Sequence, residues 1–343
     1  MPSTHLFRMS KMKPHNKNKG GVRIRATKKN FPALKGMSLY RLILYPKGIR
    51  EPHWHANADE LGYCLQGQVL VSIYATGNVR ESFLVSPGEA FLIPSGSLHS
   101  IENTSKKTSE LILQFSHEEP EDFGISSAFG MFSDAVLGNT YGVSHKVFKE
   151  MKRSTKEIFA ALREGALKIP DGARYASEYR FHLEDTAPLI ATEGGTAKLA
   201  RKTVWPILKR QALYSLHLTG TGMREPHWHP ETAELGFVHE GKGRMSIMSP
   251  DGSVDTYEMN EGDIYFIPKA YPHHIENLTK KDLRILIFFD QIMPEDVGFT
   301  ASVRSFSDEV LGAVLNVPTE FFKCLQKPYE DLFIVDKINP VDP

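Results

Sequence analysis

The chain has 343 residues, too many for one compact core, so two domains are expected. Its 41% hydrophobic and 24% charged residues are the proportions of a soluble globular protein. Lysine plus arginine equals aspartate plus glutamate at 41 each, so neither nucleic acid nor a membrane surface is expected as a partner.

Residues 1–19 read as a flexible basic tail, because the first 50 residues hold no acid but carry Arg8, Lys11, Lys13, Lys17 and Lys19. The stretch is Lys-rich rather than Arg- and Ser-rich, and it lacks the apolar core of a secretory signal. No apolar run reaches the ~18 residues of a membrane helix. Cys64 and Cys324 are too few for a disulfide framework, and a reducing, cytoplasmic setting is expected.

From residue 20 onward the chain repeats itself at a shift of 174 positions. Gly20-Gly21 falls on Gly194-Gly195, His53 on His227, Glu60 on Glu234, and Asn103 on Asn277. "FSDAVLG" from Phe132 falls on "FSDEVLG" from Phe306, and Phe148 and Phe159 fall on Phe322 and Phe333. A period this long means tandem domains, placed at 20–163 and 191–343, with 164–190 as linker.

Within each copy the pattern is β. Gln68–Tyr74 alternates apolar and polar residues, and "ATGN" and "SPDG" supply hairpin turns at matching places. Glu89–Ile93, Leu111–Phe115, Asp263–Ile267 and Arg284–Phe289 read as further short strands. After "VLG" each copy is expected to turn helical, at Ser144–Met151 and Thr155–Arg163, then at Pro318–Leu325 and Tyr329–Val335. An all-β sandwich or barrel with short flanking helices follows.

Two histidines one residue apart on a strand share a face, so His53 and His55 point together while Trp54 points away. The same holds for His227 and His229 around Trp228. Glu60 and His99, with Glu234 and His273, complete two sets of three imidazoles and one carboxylate. Nitrogen and oxygen donors without thiolate suit manganese, iron, nickel or zinc. A lone histidine usually has an ordinary packing or surface role, and His5, His15, His117, His145, His182, His217, His239 and His274 are read that way.

The spacing His53-x-His55, four residues, Glu60, six residues, Gly67, then Gly88, Pro94-x-Gly96, His99 and Asn103, resembles the two signature motifs of the cupin superfamily. The second copy keeps every spacing, with Ala270 where the pattern has glycine. "REPHWH" in both copies looks most like the oxalate decarboxylase group of bicupins. The resemblance implies two jelly-roll barrels, each holding one Mn2+ through three His and one Glu. Bicupins often assemble further, which leaves a homo-oligomer open.

The resemblance also implies that Arg50 and Arg224 line the pockets and pair with a carboxylate of a small anionic substrate. Strict alternation would aim both away from the histidines unless Pro52 and Pro226 reset the phase. A proton-delivering acid is expected on a lid, where the candidates are Glu121 and Asp122 in the first copy and Glu295 and Asp296 in the second. The family's Ser-Glu-Asn-Ser-Thr lid is absent from both copies, and "PED" reads equally well as a turn or helix-start element. The reaction so implied is decarboxylation of oxalate to formate and CO2, with oxalate oxidation or another cupin dioxygenase or isomerase chemistry as alternatives. A non-catalytic metal- or metabolite-binding bicupin, sensor or storage-like, is the alternative of another class. Storage bicupins usually lose the ligands that are intact here.

Overall fold

In the strand Val69–Ala75, Val71 and Ile73 are buried while Ser72 and Tyr74 face outward, so the alternation read in the sequence becomes two sheet faces. Gly77 and Asn78, at φ 76° and 60°, turn this strand into Val79–Val85, and Gly252, at φ 84°, sits in the matching turn between Lys242–Met248 and Val254–Asn260. The computed structural model describes residues 3–326 and 328–340, in two compact units.

The N-terminal unit pairs a seven-stranded with a six-stranded antiparallel sheet. Ala90–Ile93, Glu60–Gln66, Ser109–Phe115, Ser38–Leu44 and Gly21–Ala26 run side by side in the first. Gly48–His55, Leu98–Asn103, Val69–Ala75 and Val79–Val85 do so in the second. The C-terminal unit repeats the seven-plus-six arrangement. Its core is one cluster in which Leu216, Val238 and Ile285 of one sheet meet Met245, Tyr257 and Ile275 of the other. Two jelly-roll barrels, as expected, are the result.

The expected boundaries need correction. Residues 3–11 are not a loose tail but belong to the C-terminal unit, where Leu6 and Phe7 pair with Tyr265 and Ile264. Met9 is fully buried there, and Arg8 ion-pairs with Asp263. Residues 12–30 belong to the N-terminal unit, as does the expected linker up to His182. Arg180 and Phe181 pair with Phe91 and Ala90, and Ala173 packs against Leu70 and Leu84. Apolar residues on the outer sheet face hold the connection down.

Helices also fall elsewhere. They occupy Ile125–Met131, Asp134–Tyr141, Phe299–Ser302 and Asp308–Leu315. Ser133 and Ser307 cap two of them by accepting from the amides of Val136 and Val310. The expected helix over Ser144–Met151 is only a 3-10 turn, His145–Phe148, and Pro318–Leu325 holds a 3-10 turn at Thr319–Cys324. Thr155–Arg163 and Tyr329–Val335 are not helices. Their ends, Ala160–Leu162 and Ile334–Asp336, add strands beside Gly48–Arg50 and Gly222–Arg224. Pairing with the ligand strand overrides local propensity in both copies.

Candidate metal centres

The strand Gly48–His55 carries Arg50, His53 and His55, all buried. Its partner Leu98–Asn103 brings His99 opposite His53, but Ile101 opposite Arg50. Glu51 and Pro52 on one strand therefore oppose Ser100 alone on the other, a β-bulge. The bulge resets the alternation, so Arg50 faces inward with the histidines. The same shift between Arg224 and His227 does this in the second copy. Glu60 opens the next strand in the facing sheet.

These donors converge. One ligand atom from each of His53, His55, Glu60 and His99 lies within 4.8 Å of the others, and the same holds for His227, His229, Glu234 and His273. Main-chain and carboxylate oxygens set the tautomers. His53 Nδ1 lies 2.8 Å from the Glu51 carbonyl, and His99 Nδ1 lies 3.0 Å from that of Ser97. A carbonyl only accepts, so Nδ1 carries the proton and Nε2 keeps its lone pair. His227 and His273 make the same bonds to the carbonyls of Glu225 and Tyr271, at 2.7 and 2.9 Å.

The chemistry of the set fits a divalent cation. Glu60 Oε1, His99 Nε2 and His273 Nε2 are buried without a hydrogen-bond partner, which a native interior tolerates where an ion satisfies them. Protein contacts alone leave the first set carrying a proton. Burial works against charge on His55, yet hydrogen bonds to Asp122 and Glu60 push it up to about 9. Burial opposes ionisation of Glu60 too, but His55 and His99 hold it down to about 2. Burial and the Arg50 charge keep His53 neutral, as a ligand must be.

Around the first set lies a cavity lined by two guanidiniums, Arg23 and Arg50, with Tyr40, Leu113 and Asp122. It has room for roughly one water molecule. The cavity of the second set is as small, with one guanidinium, Arg224, and Phe333. In that set the hydroxyl of Tyr265 donates to Glu234 Oε1 at 2.6 Å, whereas the first copy has Phe91 in the equivalent place. The two centres are therefore not electronically identical.

Of the "PED" acids, Asp122 and Asp296 sit against His55 and His229, and Glu121 and Glu295 do not. Asp122 begins a strand paired with His53–His55; its Oδ1 is 2.8 Å from His55 Nδ1 and its Oδ2 is shared by Arg23 and Arg50. Burial alone would raise its pKa, but His55 and the two arginines hold it below the usual carboxylate range. Such a group orients a ligand and is a poor proton donor. Asp296 stands likewise between His229 Nδ1, at 2.7 Å, and Arg224. Glu121 and Glu295 are exposed, and neither lines a cavity holding the histidines.

Several working residues escaped sequence reasoning. Glu51 is buried and accepts from the amides of Ser126, Ile158 and Phe159; Glu225 holds Thr300 and Phe333 in the same way. Their recurrence in "REPHWH" was the available signal. Phe159 and Phe333 are held at φ 72° and 64°, a costly conformation for a bulky side chain. Each presents its carbonyl to the pocket arginine, at 3.0 Å from Arg50 Nη1 and 2.9 Å from Arg224 Nη1. Trp54 and Trp228 turn outward as expected, against Phe123 and Phe299.

Comparison with known proteins agrees with this architecture. The oxalate decarboxylase OxdC of Bacillus subtilis (strain 168) is 29% identical over 341 residues, 95% of this chain and 87% of that protein. An oxalate decarboxylase of Arthroderma benhamiae is 24% identical over 328 residues, 87% of this chain and 77% of that one. The structure of the Bacillus subtilis enzyme at pH 4.6 superposes with a TM-score of 0.85 at 24% identity, covering 98% of this chain and 90% of that chain. The Cupin family model matches residues 7–149 and again residues 181–321. With its domain present twice over most of its length, the chain belongs to the cupin family.

Proposed function

We propose that the chain is a metal-dependent enzyme that acts on a small carboxylate as the oxalate decarboxylases do, converting oxalate, with uptake of one proton, to formate and CO2. The observation that carries this reading is the pair of buried three-His, one-Glu sets, each beside an inward-facing arginine. Similarity to OxdC along 95% of the chain supports the choice of substrate. We further propose one Mn2+ per unit, held by His53, His55, Glu60 and His99 and by His227, His229, Glu234 and His273; the Bacillus subtilis enzyme has Mn(II) centres.

When bound, such an ion supplies Lewis acidity and one-electron redox chemistry. The chain's own residues do the rest. Carbonyl bonds to Nδ1 of His53 and His99 fix the rings with Nε2 free. Asp122 and Asp296 aim His55 and His229. Arg50 and Arg224 supply fixed positive charge for the substrate's distal carboxylate. Apolar walls such as Leu113 and Phe115 limit water.

Oxidation of oxalic acid with O2 to two CO2 and H2O2 is the second reading, and one observation favours it. The carboxyl groups lining the first cavity are Glu60 and Asp122, and both are held ionised rather than free to deliver a proton to carbon. Metal analysis with an oxalate assay tests all of this. Close to two ions per chain with formate release supports decarboxylation; peroxide without formate supports oxidation. Tight metal with no turnover of oxalate overturns the reading and leaves a sensor.

We also propose self-association, supported by exposed Met131, Phe132, Val136 and Tyr141 and by exposed Phe306, Val310 and Val314; light scattering in solution tests it. A cytoplasmic setting is likewise our proposal, supported by the free thiols of Cys64 and Cys324.

A further inference from the structure

Arg23 and Arg50, which line the first cavity, share two carboxylates: Asp122, which lines it too, and Glu157, which does not. Arg23 reaches Asp122 Oδ2 at 2.7 Å and Glu157 Oε2 at 3.2 Å. Arg50 reaches Asp122 Oδ2 at 3.3 Å and Glu157 Oε1 at 2.6 Å. Both arginines line the cavity that holds the metal donors. The second copy breaks this pattern. Position 197 is alanine where the first copy has Arg23, and Asp331, at the place of Glu157, accepts from the amides of Gly298 and Ala301 instead.

The two carboxylates differ in how firmly they are held. Asp122 is also bonded to His55, so leaving would disorganise a ligand. Glu157 spans the two arginines with one oxygen on each, as a bound carboxylate would. Its side chain is 23% exposed against 3–4% for the arginines, so it can turn into water. The backbone beyond it stays pinned, because Glu51 holds the amides of Ile158 and Phe159. With Glu157 turned out, Arg23 and Arg50 face Asp122 alone and leave one positive charge unmatched. The single Arg224–Asp296 pair of the second copy leaves none.

We propose that Glu157 is an internal carboxylate standing where a substrate carboxylate pairs with Arg23 and Arg50. The N-terminal cavity then admits a small dicarboxylate by exchange against Glu157, and Arg23 sets its preference for a dianion over a monoanion. This rests on the carboxylate reading above and assigns the discriminating residues to one unit. Glu157 and Arg23 are positioning residues for substrate, and the C-terminal cavity lacks both.

The test is calorimetric titration of the metal-loaded full-length protein with oxalate and, as monoanion, acetate. Glu157→Gln keeps the shape and removes the competing charge, so oxalate binds about tenfold more tightly and KM falls more than kcat changes. Glu157→Asp, which keeps the charge, stays near wild type. Arg23→Ala lowers the ratio of oxalate to acetate affinity by about tenfold. A purely structural role would lower the melting temperature of all three variants without moving that ratio. If wild type turns over oxalate while Glu157→Gln binds it no more tightly than wild type, the exchange proposal fails and the carboxylate reading stands. If neither wild type nor Glu157→Gln binds oxalate, both fall.

Discussion

Asp122 Oδ1 lies 2.8 Å from Nδ1 of His55, and the other oxygen of the same carboxylate sits on two buried arginines. Asp122 thus couples the aim of a metal ligand to the charge of the pocket. Asp122→Ala should weaken metal binding at the N-terminal centre by about 10–100-fold, the usual cost of losing the partner of a ligating histidine. Elemental analysis after dialysis against a graded chelator should then find one firmly held ion per chain instead of two. Two ions held with unchanged affinity would show that His55 needs no such partner.

The metal-free protein should have its own pH profile. His55 and His229 are each pushed up to about 9, above the unfolded value of 6.5, so their contribution is complete below pH 6.5 and is lost as pH rises through 9. Glu60, held down to about 2 from 4.5, contributes above pH 4.5 and loses that contribution as pH falls through 2. His53 and His227, held neutral well below 6.5 by burial and the neighbouring arginines, cost stability as pH falls below 6.5, so the melting temperature of chelated protein should peak near pH 6.5 and fall on either side. A melting temperature that climbs from pH 6.5 to 9 in the absence of metal would contradict the assignment.

Ala270 occupies a turn at φ 63°, where the first copy has Gly96 at φ 77°. A side chain in this region costs about 1–2 kcal/mol, partly offset by the lower entropy of an unfolded alanine. Ala270→Gly should stabilise the protein by about 1 kcal/mol, and Gly96→Ala should destabilise it by a similar amount. Nothing lies within 4 Å of a Cβ built on Gly96, so the second change reports backbone conformation rather than a clash. Denaturant titration of both variants checks the pair of signs.

Tyr265→Phe would give Glu234 the surroundings that Glu60 already has. Without the 2.6 Å hydroxyl bond, one more buried carboxylate oxygen is orphaned, which costs about 1–3 kcal/mol in the metal-free protein. Added metal should shrink the difference. Thermal melts with and without metal decide it: an equal deficit in both would mean that Tyr265 serves packing alone.

The histidines and glutamates were legible because each motif recurs at one fixed shift, and two independent copies are improbable by chance. Strands and their turns were legible from alternation and from glycine placement. Arg50 was ambiguous because alternation points it outward; only the bulge at Glu51-Pro52, visible as a shift of pairing, turns it in. Asp122 was read as a lid acid because the resemblance puts a lid after the second motif, and nothing local says that His55 is its partner across the sheet. Residues 160–162 and 334–335 were read as helical for the same reason: their strand character comes from a partner some 110 residues away. Arg23 and Glu157 gave no signal at all, since comparison of the two copies highlights what they share.

Leu6 and Phe7 hold the same place in the first repeat as Arg180 and Phe181 hold in the second, yet Leu6–Phe7 pairs with Ile264–Tyr265 and Arg180–Phe181 with Ala90–Phe91. Chain order and unit membership therefore differ at both places. Severing the chain between the two repeats would give two fragments, each missing an edge that the other took away. Leu6 is the register partner of Tyr265, whose hydroxyl holds Glu234. Trimming the first eleven residues should thus disturb the centre of the C-terminal unit and spare that of the N-terminal unit, which metal analysis of the trimmed protein reads.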